Sequence, residues 1–418
     1  FIRIRAALLM LSQRTLSSRL SVVRISLATA ILALVFAVSD SFGQGVLGIG
    51  HEGSRIQQSI PLKVGVGAWA GYDSNATTGL NGKSEDTAFY GGRASLRYAY
   101  VTKNTRFDLR FHFTGLRQEA GGGSLDDMIY NTRLQADLGH RFNQRVSMVN
   151  NAMIAWEVEP DFMVAASSAL RDDQYLYFYD RAALWLSLTN RLTSVSSYAI
   201  EGVNFESDRL ARTEDRVTHT FGQQVRFAWS EQTSVKAEYR YGTTNYDKAK
   251  LDSNSHYLLA GVDQQFGNDA LLTFLGGAEH RDYDAFGADW KPYAEASLLY
   301  RMNDATTLRW LARAGLENTE VAGFENRYGI RTGVTATHQL NDRLGVSAGV
   351  AYVYSDLEGV GSARDVDESG VQASADVTYA LLPNLDVSAG YQYTGYSSDN
   401  EDRDYDRHRV SVAATTTF

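Results

Sequence analysis

Cysteine is absent from this sequence of 418 residues, and proline occurs only 4 times. The lack of cysteine excludes a disulfide framework, thiol catalysis and zinc sites built from cysteine. Long apolar runs are also missing, because no stretch of eighteen apolar residues follows Val38. A membrane protein built from helices is therefore excluded. Backbone hydrogen bonds and packing must hold the fold together.

Glycine and aromatic residues, by contrast, are abundant. The sequence contains 36 glycines, 24 tyrosines, 18 phenylalanines and 6 tryptophans. This composition is typical of many repeated strands with aromatic belts and a hydrated interior. The formal net charge of -9 argues against nucleic acid as a partner.

The N-terminal region has the pattern of a secretory signal peptide. The apolar run Ile25–Val38 follows a basic stretch that ends at Arg24. This run is short for a membrane span, so we predict a signal peptide over residues 1–43, with cleavage after Ser39 as an alternative. A retained N-terminal membrane anchor is the competing interpretation.

Polar and apolar residues alternate along the rest of the chain. In segment 107–114, phenylalanine or leucine occupies every odd position, and Asp108, Arg110, His112 and Thr114 occupy the even ones. This period of two is typical of a strand with one apolar and one polar face. Such runs predict about eighteen strands, an even number as single-chain bacterial barrels require. They start near Pro61, Thr87, Arg106, Met128, Val146, Tyr175, Ser194, Arg216, Thr233, Asn254, Leu271, Pro292, Thr307, Asn326, Leu344, Glu368, Leu385 and Tyr405.

The predicted connections fall into two alternating length classes. Short turns such as Asn143–Arg145 and Asn341–Arg343 are rich in Asn, Asp, Gly and Thr, which favour tight hairpins. Longer loops such as Glu157–Gln174 and Ser207–Asp215 lie between them. One tight rim and one elaborate rim indicate an all-β, antiparallel up-and-down transmembrane barrel with short periplasmic turns and long extracellular loops. We therefore expect a periplasmic segment at residues 44–60 and the barrel at residues 61–418.

Two segments carry a family resemblance. Residues 69–75, which read Trp-Ala-Gly-Tyr-Asp-Ser-Asn, resemble the opening strand of the putative β-barrel porin families. The last residues alternate and end at Phe418, which is similar to the terminal strand of bacterial outer-membrane barrels. The resemblance implies location in the bacterial outer membrane and recognition of Phe418 by the barrel-assembly machinery. Association of some of these families with exopolysaccharide export suggests an alternative function.

The predicted polar faces are rich in arginine. A ring of unbalanced guanidinium groups would favour anions in a pore. The competing interpretation is that these arginines are solvated or paired across strands with acids. The arginines are Arg93, Arg97, Arg110, Arg133, Arg226, Arg240, Arg309, Arg313, Arg327, Arg331, Arg407 and Arg409, and His112 joins them as a pore-lining residue. The acids placed with them are Asp108, Asp137, Glu238, Glu279, Glu295, Glu317 and Asp376.

The third long loop, Glu157–Gln174, combines an apolar stretch with several acids. Because an apolar stretch is unfavourable at an exposed cell surface, we expect this loop to pack inward and narrow the pore. A loop that caps the outer rim or contacts a neighbouring subunit is equally compatible. The predicted constriction residues are Glu157, Glu159, Asp161, Phe162, Asp172 and Asp173.

Aromatic residues near strand ends are expected to form interfacial girdles. They include Tyr98, Tyr100, Trp156, Trp229, Tyr300, Tyr352, Tyr354 and Tyr379. The alternative is a stacked aromatic slide for sugars inside the pore, for which Tyr175, Tyr177 and Tyr179 form the best run. Acidic clusters near Asp367 and Asp404 are interpreted as solvated loops bridged to lipopolysaccharide by divalent ions, not as dedicated calcium sites. No cofactor or metal site is predicted.

The function favoured by these patterns is passive diffusion of small hydrophilic, and in particular anionic, solutes through an outer-membrane channel. Alternatives are an export portal for an anionic exopolysaccharide and a structural or adhesive barrel with an occluded lumen. No Gly-x-Ser-x-Gly or His-Glu-x-x-His motif occurs, so an enzyme is not expected, although a hydrolase assembled only in space would leave little trace. Expected partners are outer-membrane lipid, lipopolysaccharide, the barrel-assembly machinery, small solutes and copies of the chain in a homotrimer.

Overall fold

The computed structural model describes residues 62–76, 86–118, 128–158, 174–285, 287–318, 324–359, 364–399 and 403–418. The predicted signal peptide and periplasmic segment lie outside these residues and remain predictions. Among the described residues, no helix is long and apolar enough to cross a membrane.

The described chain forms eighteen strands in one sheet. Their bounds are β1 Leu62–Asp73, β2 Thr87–Val101, β3 Thr105–Gln118, β4 Met128–Arg141, β5 Val146–Glu157, β6 Tyr175–Ser187, β7 Leu192–Phe205, β8 Arg216–Ala228, β9 Thr233–Tyr246, β10 Ser253–Phe266, β11 Ala270–Tyr283, β12 Gly287–Asn303, β13 Thr306–Glu317, β14 Phe324–Gln339, β15 Leu344–Gly359, β16 Val366–Leu382, β17 Leu385–Ser398 and β18 Tyr405–Thr417. The predicted fold class is confirmed.

The sheet closes on itself. Each strand pairs antiparallel with the next along the chain, and β1 pairs with both β2 and β18. The closing register runs from Gly65 opposite Thr417 to Asp73 opposite Arg409. Closure leaves no open sheet edge, which is the condition for strands to cross a hydrocarbon layer with all backbone groups paired.

One predicted strand start is wrong. The structure begins β12 at Gly287, five residues before Pro292, whereas the other predicted starts lie within two residues of the observed ones. Proline interrupts a ladder because it lacks an N–H donor. Here Pro292 is opposite Ala278 of β11, and pairing of β12 with β13 begins only at Ala294. The strand therefore extends upstream of the proline as a two-stranded hairpin.

The tight turns use the predicted side chains. The Oδ1 atom of Asn143 accepts the amide N–H groups of Arg145 at 2.8 Å and Val146 at 3.0 Å. Asn341 does the same for the amides of Arg343 and Leu344. In another turn, Gly267 has a φ of 59°, a left-handed conformation that glycine adopts without a Cβ clash. These local preferences fix the hairpins at one rim.

The two faces of the sheet differ in chemistry. Outward-facing apolar side chains are exposed, for example Val66, Leu258 and Val412 at 50%, 59% and 56%. Charged side chains of the other face, such as Asp73 and Glu279, are fully buried. An apolar exterior and a polar interior are the pattern of a barrel that spans lipid.

The connection between β7 and β8 contains one short helix, α1, at Asp208–Glu214. The Ser207 side chain caps it by accepting the amide N–H of Leu210 at 3.3 Å. The sequence analysis assigned this segment only as a long loop, because a helix of two turns is too short to show a helical period. Leu210 packs against inward-facing residues at the loop-bearing rim.

Candidate functional site in the barrel interior

Strand register identifies the inward face, because directly opposite residues of neighbouring strands point to the same side of a sheet. Arg313 of β13, for example, is opposite Glu295 of β12 and Arg331 of β14. Followed around the barrel, the register places every arginine predicted to line the pore on this face, together with Asp108 and His112. The predicted acids share it. Whether these residues line an open pore remains a prediction.

Most of these arginines form ion pairs along the wall. Within the described residues the pairs are Arg97–Asp108, Arg110–Asp108, Arg110–Asp137, Arg133–Glu157, Arg226–Asp263, Arg240–Glu238, Arg240–Glu295, Arg327–Glu317, Arg331–Glu317 and Arg407–Asp73. Pairing across strands therefore neutralises much of the predicted arginine ring.

The surroundings of the other four predicted arginines differ from one another. Arg93 donates through Nε to the Thr415 hydroxyl at 2.8 Å. The Arg409 guanidinium lies 4.6 Å from the centre of the Phe89 ring, and that of Arg313 lies 5.8 Å from the centre of the Tyr293 ring. Arg309 is exposed near the tight-turn rim. Arg309 and Arg313 therefore add positive charge that has no paired acid among the described residues.

Sequence reasoning missed part of this charged face, although the alternation itself would have found it if followed to both ends of every strand. The missed residues are Lys63, Asp73, Arg106, Arg141, Glu201, Arg216, Asp263, Arg281, Asp289, Lys291, Arg301, Glu368 and Asp386. With these included, basic side chains still outnumber acidic ones on the described inward face.

A polar cluster extends from the wall around Tyr293 of β12. The Arg240 side chain of β9 donates to the Tyr293 hydroxyl at 3.2 Å and to Glu295 at 2.8 Å. The Tyr257 ring meets the Tyr293 ring edge-on at a centroid distance of 5.1 Å. Two strands, β10 and β11, lie between β9 and β12. These contacts therefore cross the inner surface of the barrel and do not join neighbouring strands. Side chains of the wall therefore occupy part of the lumen here.

Gly315 provides the space for this cluster. A Cβ atom at this position would lie 2.6 Å from the Cδ2 atom of Tyr293. The tyrosine ring thus lies directly on the backbone of β13, a close approach that only glycine permits.

The tyrosine run of β6 faces inward, as the sugar-slide alternative requires. Tyr175 and Tyr177 are, however, buried at 2% and 7% exposure, in a cluster that includes Phe205 and Leu210. Rings packed against α1 present little stacking surface to a solute. Only Tyr179 is partly accessible.

The predicted girdle residues occupy the outward face. Register places Tyr98, Tyr100, Trp156, Tyr300, Tyr352, Tyr354 and Tyr379 there, and Trp229 lies in a tight turn with 72% exposure. An outward position at strand ends is the position of an interfacial aromatic.

Only one of the predicted constriction residues is described. Glu157 ends β5 and accepts hydrogen bonds from the Arg133 guanidinium at 2.9 and 2.6 Å. Glu159, Asp161, Phe162, Asp172 and Asp173 lie outside the described residues.

Phe418 follows the last strand. Its amide N–H donates to the Val64 carbonyl at 2.9 Å, and its side chain is 64% exposed. The backbone therefore takes part in the closing seam, while the ring remains accessible.

Comparison with known proteins gives a family and a fold. Residues 62–418 match the sequence model of the family described as Putative beta-barrel porin 2. Among solved structures, the outer membrane protein OpdK from Pseudomonas aeruginosa is similar with 12% identity, covering 85% of this chain and 99% of that chain, at a TM-score of 0.43. OccK2 (OpdF) of the same organism, solved in complex with glucuronate, is similar with 13% identity, covering 88% and 100%, at a TM-score of 0.43. OccAB3 from Acinetobacter baumannii shows 10% identity over 85% and 99%, at a TM-score of 0.42. No curated protein sequence matches the chain.

Proposed function

Because the chain belongs to the Putative beta-barrel porin 2 family, and is thus a porin-like channel of the bacterial outer membrane for small hydrophilic solutes, we propose that its lumen favours anions. The observation that carries this proposal is the excess of basic over acidic side chains on the inward face. Fixed positive charge in a pore lowers the barrier for anions and raises it for cations.

The unpaired arginines decide the sign of the field. An ion-paired arginine contributes little net potential at a distance, because its acid partner cancels its charge. Within the described residues, Arg181, Arg309 and Arg313 form no ion pair. They belong to β6 and β13, on well-separated parts of the wall.

Reversal potentials in planar bilayers with a potassium chloride gradient test the proposal. The wild-type protein should show a chloride-selective potential, and the Arg181→Gln and Arg309→Gln variants should shift it towards the cation side. Arg343→Gln, in an exposed tight turn, serves as the control and should leave it unchanged. A cation-selective wild-type pore would contradict the proposal.

For the third loop, we propose the inward, pore-narrowing arrangement expected from its sequence. The Arg133–Glu157 pair supports this because it holds the start of the loop against the inward face. Deletion of residues 162–170 should raise single-channel conductance. Unchanged conductance would favour a loop at the outer rim or at a subunit contact.

For assembly, we propose that the barrel-assembly machinery recognises the accessible Phe418 ring. Phe418→Ala should reduce the amount of folded barrel in outer membranes but leave unassisted refolding in detergent intact. Equal loss in both settings would indicate a purely structural role for the ring. Lipopolysaccharide contacts and a homotrimer are further proposals, which native mass spectrometry of the purified protein can test.

A further inference from the structure

We propose that the outward surface of strands β5 to β8 is the face through which copies of this chain associate in the membrane. The inference rests on the self-association proposed above and gives it a contact surface.

Five polar side chains share this surface, at positions where a barrel in lipid carries apolar ones. Register places them outward. Ser196 of β7 is directly opposite Leu184, and Ser194 is directly opposite Val225, and both of these apolar partners are exposed on the outer face. The five residues, called the polar patch below, are Asn150, Asp180, Ser194, Ser196 and Gln223.

Two members of the polar patch lie near the middle of their strands. Asp180 is the sixth of the 13 residues of β6, and Gln223 is the eighth of the 13 residues of β8. Both side chains are exposed on the single barrel. The middle of a strand lies at the depth of the hydrocarbon layer, where a carboxylate that faces lipid is unfavourable. A protein contact removes this cost, because it supplies the hydrogen-bond partners that lipid tails lack.

The opposite side of the barrel differs at the same depth. In a closed ring of eighteen strands, β15 and β16 lie opposite β6 and β7. Near the centres of β15, β16 and β18, the outward residues are Val350, Ala373 and Val412. The polar patch is therefore a property of one side of the barrel.

The half of the polar patch on β7 and β8 retains hydrogen-bond donors. Gln223 accepts the Ser196 hydroxyl at 2.7 Å and donates to the Ser194 hydroxyl at 2.8 Å. Among the described residues, these bonds leave one Gln223 N–H and the Ser194 O–H without an acceptor.

The half on β5 and β6 retains acceptors. The Asn150 amide donates to the Oδ1 atom of Asp180 and to the Arg181 carbonyl, the latter at 3.3 Å. Within the described chain, the Oδ2 atom of Asp180 and the Oδ1 atom of Asn150 accept no hydrogen bond.

A second copy of the chain fits this arrangement. Rotation about an axis along the membrane normal brings the acceptor half of one copy against the donor half of the next, and the rotation closes as a pair or as a homotrimer. Each contact then satisfies both halves of the polar patch, which lipid tails do not.

Cross-linking tests the contact face, because the chain contains no cysteine that would react in the background. The double variant Ala182→Cys with Val225→Cys borders the polar patch on β6 and β8. These strands lie about 10 Å apart, too far for a disulfide within one copy. Oxidation of outer membranes with copper phenanthroline should therefore link separate copies. The control is Ala373→Cys with Val412→Cys, which has the same strand separation on the opposite side and should stay unlinked.

Native mass spectrometry and sedimentation of the purified protein give a second readout. Asp180→Leu should lower the association constant about tenfold, the effect of hydrogen bonds lost within a membrane. Leucine at this position suits lipid, so the single barrel should stay folded, which heat-modifiable mobility in gels checks. Ala373→Leu is the control and should leave the association constant unchanged.

Two results would overturn this contact face. One is equal linkage by both cysteine pairs, or linkage of the patch pair only to a different protein. The other is a homo-oligomer that Asp180→Leu does not weaken, which would leave the proposed homotrimer in place with another interface. A wild-type protein that is monomeric in both measurements would overturn the homotrimer as well.

Discussion

Arg407 of β18 forms an ion pair with Asp73 of β1, and this pair joins the last strand of the barrel to the first. Its Nε atom donates to the two carboxylate oxygens of Asp73 at 2.9 and 3.1 Å, and its Nη2 atom donates to Oδ2 as well. Both side chains are buried. Nearby, the Asn75 side-chain amide donates to the Asp406 carbonyl at 3.1 Å. Side chains as well as the backbone ladder therefore hold the seam closed.

Asp73→Asn should destabilise the barrel by about 3 kcal/mol, because it leaves the Arg407 charge buried without its carboxylate. Urea unfolding of the reconstituted protein, followed by tryptophan fluorescence, measures the change. Asp86→Asn is the control, since Asp86 is exposed on the same rim and, among the described residues, accepts a hydrogen bond from the Tyr72 hydroxyl alone. Equal effects of the two substitutions would show that the Arg407–Asp73 pair stabilises the barrel no more than the exposed Asp86 carboxylate does.

Gly315→Ala should displace the Tyr293 ring, because the added methyl group would overlap its Cδ2 atom. We expect overpacking to lower the free energy of unfolding by about 1 to 3 kcal/mol. We also expect the single-channel conductance to change. Gly139→Ala is a matched control on the inward face of β4, where a Cβ meets nothing within 4 Å. Unaltered conductance in Gly315→Ala would contradict the assignment of Tyr293 as a lumen constraint.

Leu210→Ala should loosen α1 from the inward wall. Removal of a buried leucine side chain costs about 2 kcal/mol or more, which corresponds to a tenfold or larger rise in local opening. Trypsin cleavage after Arg212, an exposed residue of α1, reports this opening. Leu258→Ala on the outward face should not change the cleavage rate, and identical rates for both variants would show that Leu210 does not anchor the helix.

Asp215→Asn should remove a pH-dependent part of the stability. Burial raises the pKa of the Asp215 carboxyl above its usual value, and the Asp247 carboxylate adds to this, against the opposing hydrogen bond from the Phe205 amide. The folded state therefore binds the proton more tightly than the unfolded chain. The free energy of unfolding therefore increases as the pH falls through the raised pKa. This increase is complete below about pH 3.9, which is the pKa of the carboxyl in the unfolded chain.

Urea unfolding of wild type and Asp215→Asn over a series of pH values measures this difference. The free energy of unfolding of the wild type should rise relative to that of the variant as the pH is lowered. A constant difference would show that the carboxyl does not titrate with folding.

Local residue preferences were sufficient to predict the hairpins. The Asn143 and Asn341 turns were predictable because their side chains bind amides only two and three residues away. The start of β12 upstream of Pro292 was not predictable, because proline opposes a ladder only on a side where the strand is paired, and sequence does not show which sides are paired.

The sequence by itself determined the strand number, the closed barrel and the face on which each predicted arginine lies, because side chains alternate with a period of two whatever the neighbours are. Only the tertiary structure decided which arginines are neutralised. Arg240, for example, reaches Glu295 over two intervening strands. Such relationships depend on how far the sheet curves before it closes, and no local pattern of residues encodes a distance across the lumen.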